Sequence, residues 1–361
     1  MKKSVSVMLA LAGLGLLALA GSFNAGLRRE RVAAHIASEE ALANAPPWLD
    51  LTAVALGGFR GVIADLLWLR VSRLQERGEY FEIVPLADWI TRLSPRSSET
   101  WAFHAWNMAY NVSATMPEPE DRWRWVCNGI ALLRDRGLRY RPDDAAMYAA
   151  LAGLYLYKIG GFDDPVHRDY QRRFILELNE LLGGPGPAAR LAAGDPQRRR
   201  RLQEEHRLEL ELLERIDDRY GPLDWRLPES HALYWAYRGQ AYEPTGFGVC
   251  DRIVLQALAA SFKRGRLTLR PDGAWRTWPN PGLLPNAIRA YEETLERHAD
   301  ATVRTAYANF LAQAVALLDR VDREQARQTF ERLHRLFPSR ETAAGYEAFV
   351  AGRRAAEGRG P

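Results

Sequence analysis

The sequence predicts an all-α protein, an α-solenoid of stacked helical hairpins that follows a single N-terminal transmembrane helix. Three observations support this fold class: an uncharged apolar run near the amino terminus, helical stretches closed by proline, and a recurring spacing of aromatic and small residues. The 361 residues are 47% hydrophobic and include 11 Trp, which is enough apolar material for an ordered core.

The charge balance argues against nucleic-acid binding. The formal net charge is +4, and 45 acidic residues are interleaved with 49 basic ones, a pattern typical of solvated helix faces rather than of a basic stripe. The two cysteines, Cys127 and Cys250, lie far apart and fit neither a metal-binding nor a haem-attachment motif. We interpret both as buried thiols rather than as a disulfide.

The amino terminus carries the targeting segment. Lys2 and Lys3 precede an uncharged apolar run over residues 5–23, which is within the roughly 17 to 25 residues that a membrane-spanning helix needs. Ala18-Leu19-Ala20 before Gly21 resembles a signal-peptide cleavage site, but we favour an uncleaved anchor over residues 1–27. The prediction is a single-pass inner-membrane protein that contacts the lipid bilayer through residues 5–23, with its bulk on the periplasmic side.

Two segments separate this anchor from the predicted array. Residues 28–50 contain a polar-to-amphipathic helix closed by a proline pair, which we interpret as a juxtamembrane helix and linker. The apolar run over residues 51–69 is interrupted by two glycines, Arg60 and Asp65. A charge at the bilayer centre costs about 2.5 to 3.5 kcal/mol on insertion scales, so this run is expected to be a buried helix rather than a second span.

A repeated spacing of proline, aromatic and small residues organises the rest of the chain. Pro95 closes one helical stretch, Trp101 follows six residues later, and the small residue Ala105 comes four residues after that. Pro142 and Tyr148 have the same spacing. Further positions with matching intervals are Leu151, Ala152, Tyr155, Ala287, Tyr291, Phe310, Ala314, Leu317, Ala326, Phe330, Leu333 and Pro338.

This spacing resembles the tetratricopeptide repeat, in which a proline closes the second helix and an aromatic residue opens the core of the next one. The resemblance covers residues 51–156 and 287–350. It implies helix pairs that stack into a superhelix, whose concave face receives a peptide or helix of a partner protein. By the same resemblance, a membrane-anchored array suits an envelope assembly, secretion or polysaccharide-export complex.

Some segments depart from the repeat. Trp101 and Tyr148 are 47 residues apart rather than the usual 34, and we assign the excess to a long connection over residues 115–123. A Gly/Pro-rich linker precedes a strongly charged helix, and Pro271-Asp272-Gly273 lies between two short alternating runs that predict a β-hairpin. The predicted domains are the anchor 1–27, the juxtamembrane part 28–50, an N-terminal array 51–183, the linker and charged helix 184–220, a C-terminal array 221–352 with the hairpin near 266–278, and a tail 353–361.

Sequence motifs for catalysis are absent. The chain has no GxGxxG, GxxxxGK[ST], HExxH or GxSxG motif, and its seven histidines lack a metal-ligand spacing. We therefore expect no catalytic residue, no metal and no cofactor, and a protein that is not an enzyme. Asp163-Asp164 beside His167 favours helix capping over metal binding.

Two further clusters have a structural and a functional interpretation. The arginines of residues 198–201 face glutamates at helical spacing, which favours a solvated, paired helix over an anionic lipid site. Trp275 and Trp278 favour hairpin packing over a ligand platform.

The preferred hypothesis is a scaffold whose groove is lined by Trp106, Tyr110 and Tyr157. In the repeat family the positions of Trp101, Ala105 and Met108 face neighbouring helices, whereas those of Ala102, Trp106, Ala109 and Tyr110 line the groove. Helical geometry agrees, since Trp106 is rotated about 140° from Trp101. A later helix that packs over Trp106 and Tyr110 remains the alternative for this face.

The rival function is an enzyme or a small-ligand-binding protein. In that hypothesis the irregular segment 223–278 covers a pocket. Its lining would be Trp225, His231, Trp235 and Tyr242.

Overall fold

A computed structural model describes Gly15 and residues 59–357, except 185, 187–193 and 245. The predicted anchor, apart from Gly15, and the predicted juxtamembrane helix lie outside the described residues, as does the end of the tail from 358. The chain forms two compact units, Met1–Met147 and Tyr148–Pro361. Within the described residues, no helix combines the length and the apolar character needed to cross a membrane.

The described part of the first unit consists of consecutive helices that pack against their neighbours in sequence. Three helices contain a six-residue π-helical turn. The elements are α1 (Phe59–Glu76), α2 (Tyr80–Leu93), α3 (Ser98–Trp106, extended by the π turn Asn107–Val112 and Ser113–Thr115), α4 (Pro119–Ala131, extended by the π turn Leu132–Gly137 and Leu138–Tyr140), and α5 (Ala145–Gly153, extended by the π turn Leu154–Ile159), which crosses into the second unit.

The second unit is also mainly helical, and the prediction of an all-α protein is confirmed for the described residues. Its further elements are α6 (His167–Leu182), α7 (Pro196–Glu204), α8 (Leu210–Tyr220), α9 (Pro228–Gln240), α10 (Val249–Arg264), β1 (Arg266–Leu269), β2 (Trp275–Trp278), a 3₁₀ turn (Pro281–Leu283), α11 (Leu284–His298), α12 (Ala301–Leu318), α13 (Arg323–Leu336), α14 (Arg340–Ala343) and α15 (Tyr346–Glu357).

The predicted β-hairpin is present. Strands β1 and β2 pair antiparallel, with Arg266 opposite Trp278 and Leu269 opposite Trp275. Gly273 in the connecting turn has φ +79°, a conformation that glycine adopts without the steric cost that other residues incur.

Helix α1 differs from the expected buried helix. Its inner face contributes Val71 and Leu74 to the first unit's core, but Val62, Leu66 and Leu69 are exposed. Apolar content alone therefore predicted the helix but not the side that would be covered.

The predicted long connection over residues 115–123 is wrong. Helix α3 extends to Thr115 and α4 begins at Pro119, which leaves only a short link. The extended helices, each with a π turn, account for the long interval between Trp101 and Tyr148.

The predicted charged helix is divided in two. Arg207, between α7 and α8, has φ 55°, a left-handed conformation that ends a right-handed helix. Within α7 the expected pairing is present, because Arg200 lies 2.9 Å from Glu204 and Arg201 lies 3.2 Å from Glu205.

Most positions of the predicted repeat are core positions. Trp101 is 1% exposed, and its indole N–H donates to the carbonyl of Pro95 at 2.9 Å. The other buried members are Ala105, Tyr148, Leu151, Ala152, Tyr155, Ala287, Tyr291, Phe310, Ala314, Ala326, Phe330 and Leu333. Leu317 is half-buried and Pro338 is exposed.

Neither cysteine forms a disulfide. Cys250 is buried, and burial raises the pKa of its thiol well above the usual range. Cys127 is only half-buried, so the expectation of burial is correct for Cys250 alone.

Candidate partner-binding surface

Helix α3 carries the candidate surface of the first unit. A cap at its first turn and a close contact with α4 hold this helix in place. Ser97 caps the helix by accepting a hydrogen bond from the Thr100 amide at 3.3 Å. Farther along, a Cβ atom added to Gly129 of α4 would lie 2.7 Å from the Ala105 carbonyl oxygen. The two backbones therefore approach closely, which explains why small residues occupy both positions.

The π turn changes which side chains of α3 face the core. In regular α-helical geometry Ala109 would be rotated about 80° from Trp101, and we expected it to line the groove. Ala109 is instead fully buried. A π turn uses more residues per turn than an α-helix, so the residues after Asn107 are rotated back towards the core. In a regular α-helix Tyr110 would lie about 180° from Trp101. The same rotation brings it closer to the core, where it is half-buried.

Trp106 and Tyr110 remain together on the outer side of α3. Their ring centroids are 5.8 Å apart with an interplanar angle of 23°, which is a stacked arrangement. Trp106 is 43% exposed, so no described helix of the first unit fully covers it. Of the other predicted positions, Ala102 and Met108 are half-buried.

Tyr157 belongs to the second unit and lies in the π turn of α5. It is 46% exposed, and its hydroxyl donates to the side chain of Gln256 on α10. Partial burial raises the pKa of Tyr157, and Arg252 opposes that shift. Trp106 and Tyr157 are thus both exposed and lie beside or within a π turn, each in its own unit, whereas Tyr110 is half-buried.

His104 is a residue of α3 that the sequence did not single out. It is buried, and neither ring nitrogen has a hydrogen-bond partner among the described residues. Burial lowers the pKa of His104 to about 4, while Asp88 raises it and Arg136 lowers it. The imidazole is therefore neutral near pH 7. No motif in the sequence marks His104 as a buried, unpartnered imidazole, because a single histidine on an apolar helix face has no distinctive pattern.

The four residues proposed for the rival pocket differ in exposure. Trp225, His231 and Trp235 are buried and are engaged in packing. The Trp225 indole donates to Asp217 at 2.8 Å, and His231 Nε2 lies 2.9 Å from the Trp225 carbonyl oxygen. Tyr242 is 46% exposed and stacks on Tyr148. Three of the four side chains are thus part of the second unit's core.

The acidic cluster before α6 has a structural role that differs from a helix cap. Lys158 Nζ lies 2.6 Å from Asp164 Oδ2, and Tyr170 donates to the same carboxylate oxygen at 3.3 Å. Asp164 also accepts from the amide of Val166, whereas the first residue of α6, His167, has no side-chain cap. In the part of the chain that the structure describes, no group of three or more potential ligands could hold a metal ion.

The tryptophans of the hairpin do not pack on each other. Trp278 is half exposed, and Trp275 lies under the guanidinium group of Arg168, 5.2 Å from the ring centroid.

No known family matches this chain, and no curated protein or solved structure is significantly similar to it.

Proposed function

We propose that this protein is a non-enzymatic, membrane-tethered scaffold of tetratricopeptide-like helical hairpins that binds a peptide or helix of a partner protein. Residues 5–23 would supply the tether in an inner membrane, with the array on the periplasmic side, where it would serve an envelope assembly or export complex. The observation that carries the binding surface is the exposed Trp106, whose ring stacks on that of the half-buried Tyr110.

The position of this pair favours a binding role over a packing role. Trp101 on the opposite face of α3 already secures the helix to the core, so Trp106 is not needed for that purpose. Exposed aromatic residues in soluble proteins are enriched at protein interfaces, where one buried ring contributes a large share of the binding energy. Their stacking also restricts both side chains before a partner arrives, which reduces the entropy that binding would cost.

The test replaces Trp106 by a photo-crosslinking phenylalanine analogue in the full-length protein in its own cells. A discrete crosslinked partner is expected at this position. Trp278 provides the matched control, because it is also an exposed tryptophan but lies in the β-hairpin. Crosslinking that is equally strong from both positions would mean random collision and would contradict the proposal.

A double substitution, Trp106→Ala with Tyr110→Ala, separates binding from stability. It should abolish capture of the crosslinked partner but lower the free energy of unfolding by less than about 1 kcal/mol. If the double variant melts at as low a temperature as Trp101→Ala, this face is core and the proposed surface must be abandoned.

A further inference from the structure

The second unit contains a groove of about 800 Å³ between α12, the end of α13 and the C-terminal helices α14 and α15. Its floor is apolar, formed by Ala308, Ala312, Leu333 and Phe349, and arginines line its sides. A groove of this volume is within the range that binding sites occupy. The groove belongs to the second unit, whereas α3 belongs to the first.

The charge of this groove is unbalanced. Arg304 and Arg340 pair with no carboxylate among the described residues, and Arg353 is the partner of the single lining acid, Glu341, at 3.3 Å. Several arginines outside the groove are paired, as Arg332 is with Glu292 at 2.7 Å and Arg323 is with Glu347 at 2.7 Å. Three guanidinium groups against one carboxylate make the groove positive.

Aromatic rings hold two of these guanidinium groups in place. Arg304 lies 5.2 Å from the ring centroid of Phe337, and Arg353 lies 5.2 Å from that of Phe349. Stacking of this kind suits arginine, because its planar group can contact a ring and still present N–H donors to a carboxylate. The Nε atom of Arg353 is itself buried and has no hydrogen-bond partner among the described residues.

We propose that this groove binds an acidic peptide segment of a partner protein. Carboxylates of the segment would pair with Arg304 and Arg340, in the geometry that guanidinium and carboxylate groups share. An apolar side chain of the segment would cover Ala308 and Ala312. The groove is open and has an apolar floor, which favours a peptide chain as its ligand. A compact anion would contact only the charged sides. The inference does not depend on the α3 surface.

The direct test measures binding of a fluorescent hexapeptide, Glu-Glu-Leu-Glu-Glu-Leu, to the full-length protein in detergent. The uncharged counterpart, with Gln in place of each Glu, should not bind. Arg304→Gln combined with Arg340→Gln should weaken binding of the acidic peptide at least tenfold, and added salt should weaken it further. Arg340→Gln alone preserves the stacking of Arg304 on Phe337 and should weaken binding by a smaller factor.

A matched control keeps the net charge equal. Arg276→Gln with Arg335→Gln removes two exposed arginines outside the groove and should bind like the wild type. An equal loss in both double variants would mean nonspecific charge attraction, and displacement by phosphate or glutarate at the concentration of the peptide would mean a small-anion site. Either result, or no binding at all, would overturn the proposal. The Trp106/Tyr110 double variant should bind the hexapeptide normally, so failure of the α3 surface is distinguishable from failure here.

Discussion

Helices α3 and α9 have similar compositions but opposite environments. Each contains Trp, His and Ala beside further aromatic residues. In α9 every residue from Pro228 to Ala236 is buried, whereas only Thr100, Trp101, His104 and Ala105 are buried in the regular part of α3. Helix α9 packs against both α10 and the π turn of α5, and α3 packs against α2 and α4.

The comparison shows that aromatic density does not distinguish a binding surface from a core. A helix that is covered on several sides uses its aromatic residues for packing, and one with an uncovered side presents them to solvent. The rival pocket was predicted beneath the irregular segment 223–278, and two of its four residues, His231 and Trp235, lie on α9. Trp106 on the outer face of α3 is still 43% exposed, because no described helix of the first unit fully covers that face. This face therefore stays a candidate binding surface.

Replacing one tryptophan in each helix should change the free energy of unfolding by very different amounts. Trp235→Ala in α9 should lower the free energy of unfolding by about 3 to 5 kcal/mol, because it leaves a cavity in the core. Trp106→Ala in α3 should lower it by less than about 1 kcal/mol. Urea denaturation of the two variants measures both values. Equal losses would show that the outer face of α3 is packed like α9.

A pH titration of stability tests the buried histidine of α3. Because the folded-state pKa of His104 is lowered to about 4 from 6.5, the unfolded chain binds a proton more readily than the folded one. The contribution to stability is therefore complete above pH 6.5 and is lost as the pH falls towards 4, by about 3 kcal/mol. His104→Leu should remove this slope, measured by urea denaturation at several pH values.

His334 supplies the control for that titration. It lies on α13 in the second unit, so His334→Gln removes one imidazole without changing the surroundings of His104. The slope assigned to His104 should remain in this variant. A slope that persists in His104→Leu would assign the pH dependence to other groups.

Within α9 and its neighbourhood, two buried tryptophans should differ in sensitivity. Trp225 donates its indole N–H to Asp217, whereas the indole N–H of Trp235 has no partner among the described residues. Replacement by Phe removes the donor in both cases. Trp225→Phe should therefore be more destabilising than Trp235→Phe by about 1.5 to 3 kcal/mol, the contribution of a hydrogen bond to a charged group. Thermal melts that give equal losses would show that the Trp225 hydrogen bond contributes nothing.

The sequence by itself determined the helical class, the β-hairpin and most of the core. Spacing places Trp101 and Ala105 on one side of a helix, and any fold that buries this side makes them core residues. Turn residues around Gly273 likewise set the hairpin, because the required backbone conformation is local. Such features depend on neighbours within a few positions in the chain.

The covered sides of the helices and the position of the charged groove follow from the tertiary structure and could not be predicted from the sequence. The burial of Ala109 depends on a π turn, and the exposure of Val62 and Leu66 depends on which helices lie nearby. Trp225, His231 and Trp235, three residues of the rival pocket, are buried. The groove that contains Arg304 and Arg340 combines residues from α12 and α14, which are brought together by the fold. Period and composition describe one element at a time, whereas burial and charge pairing depend on contacts between elements that are distant in sequence.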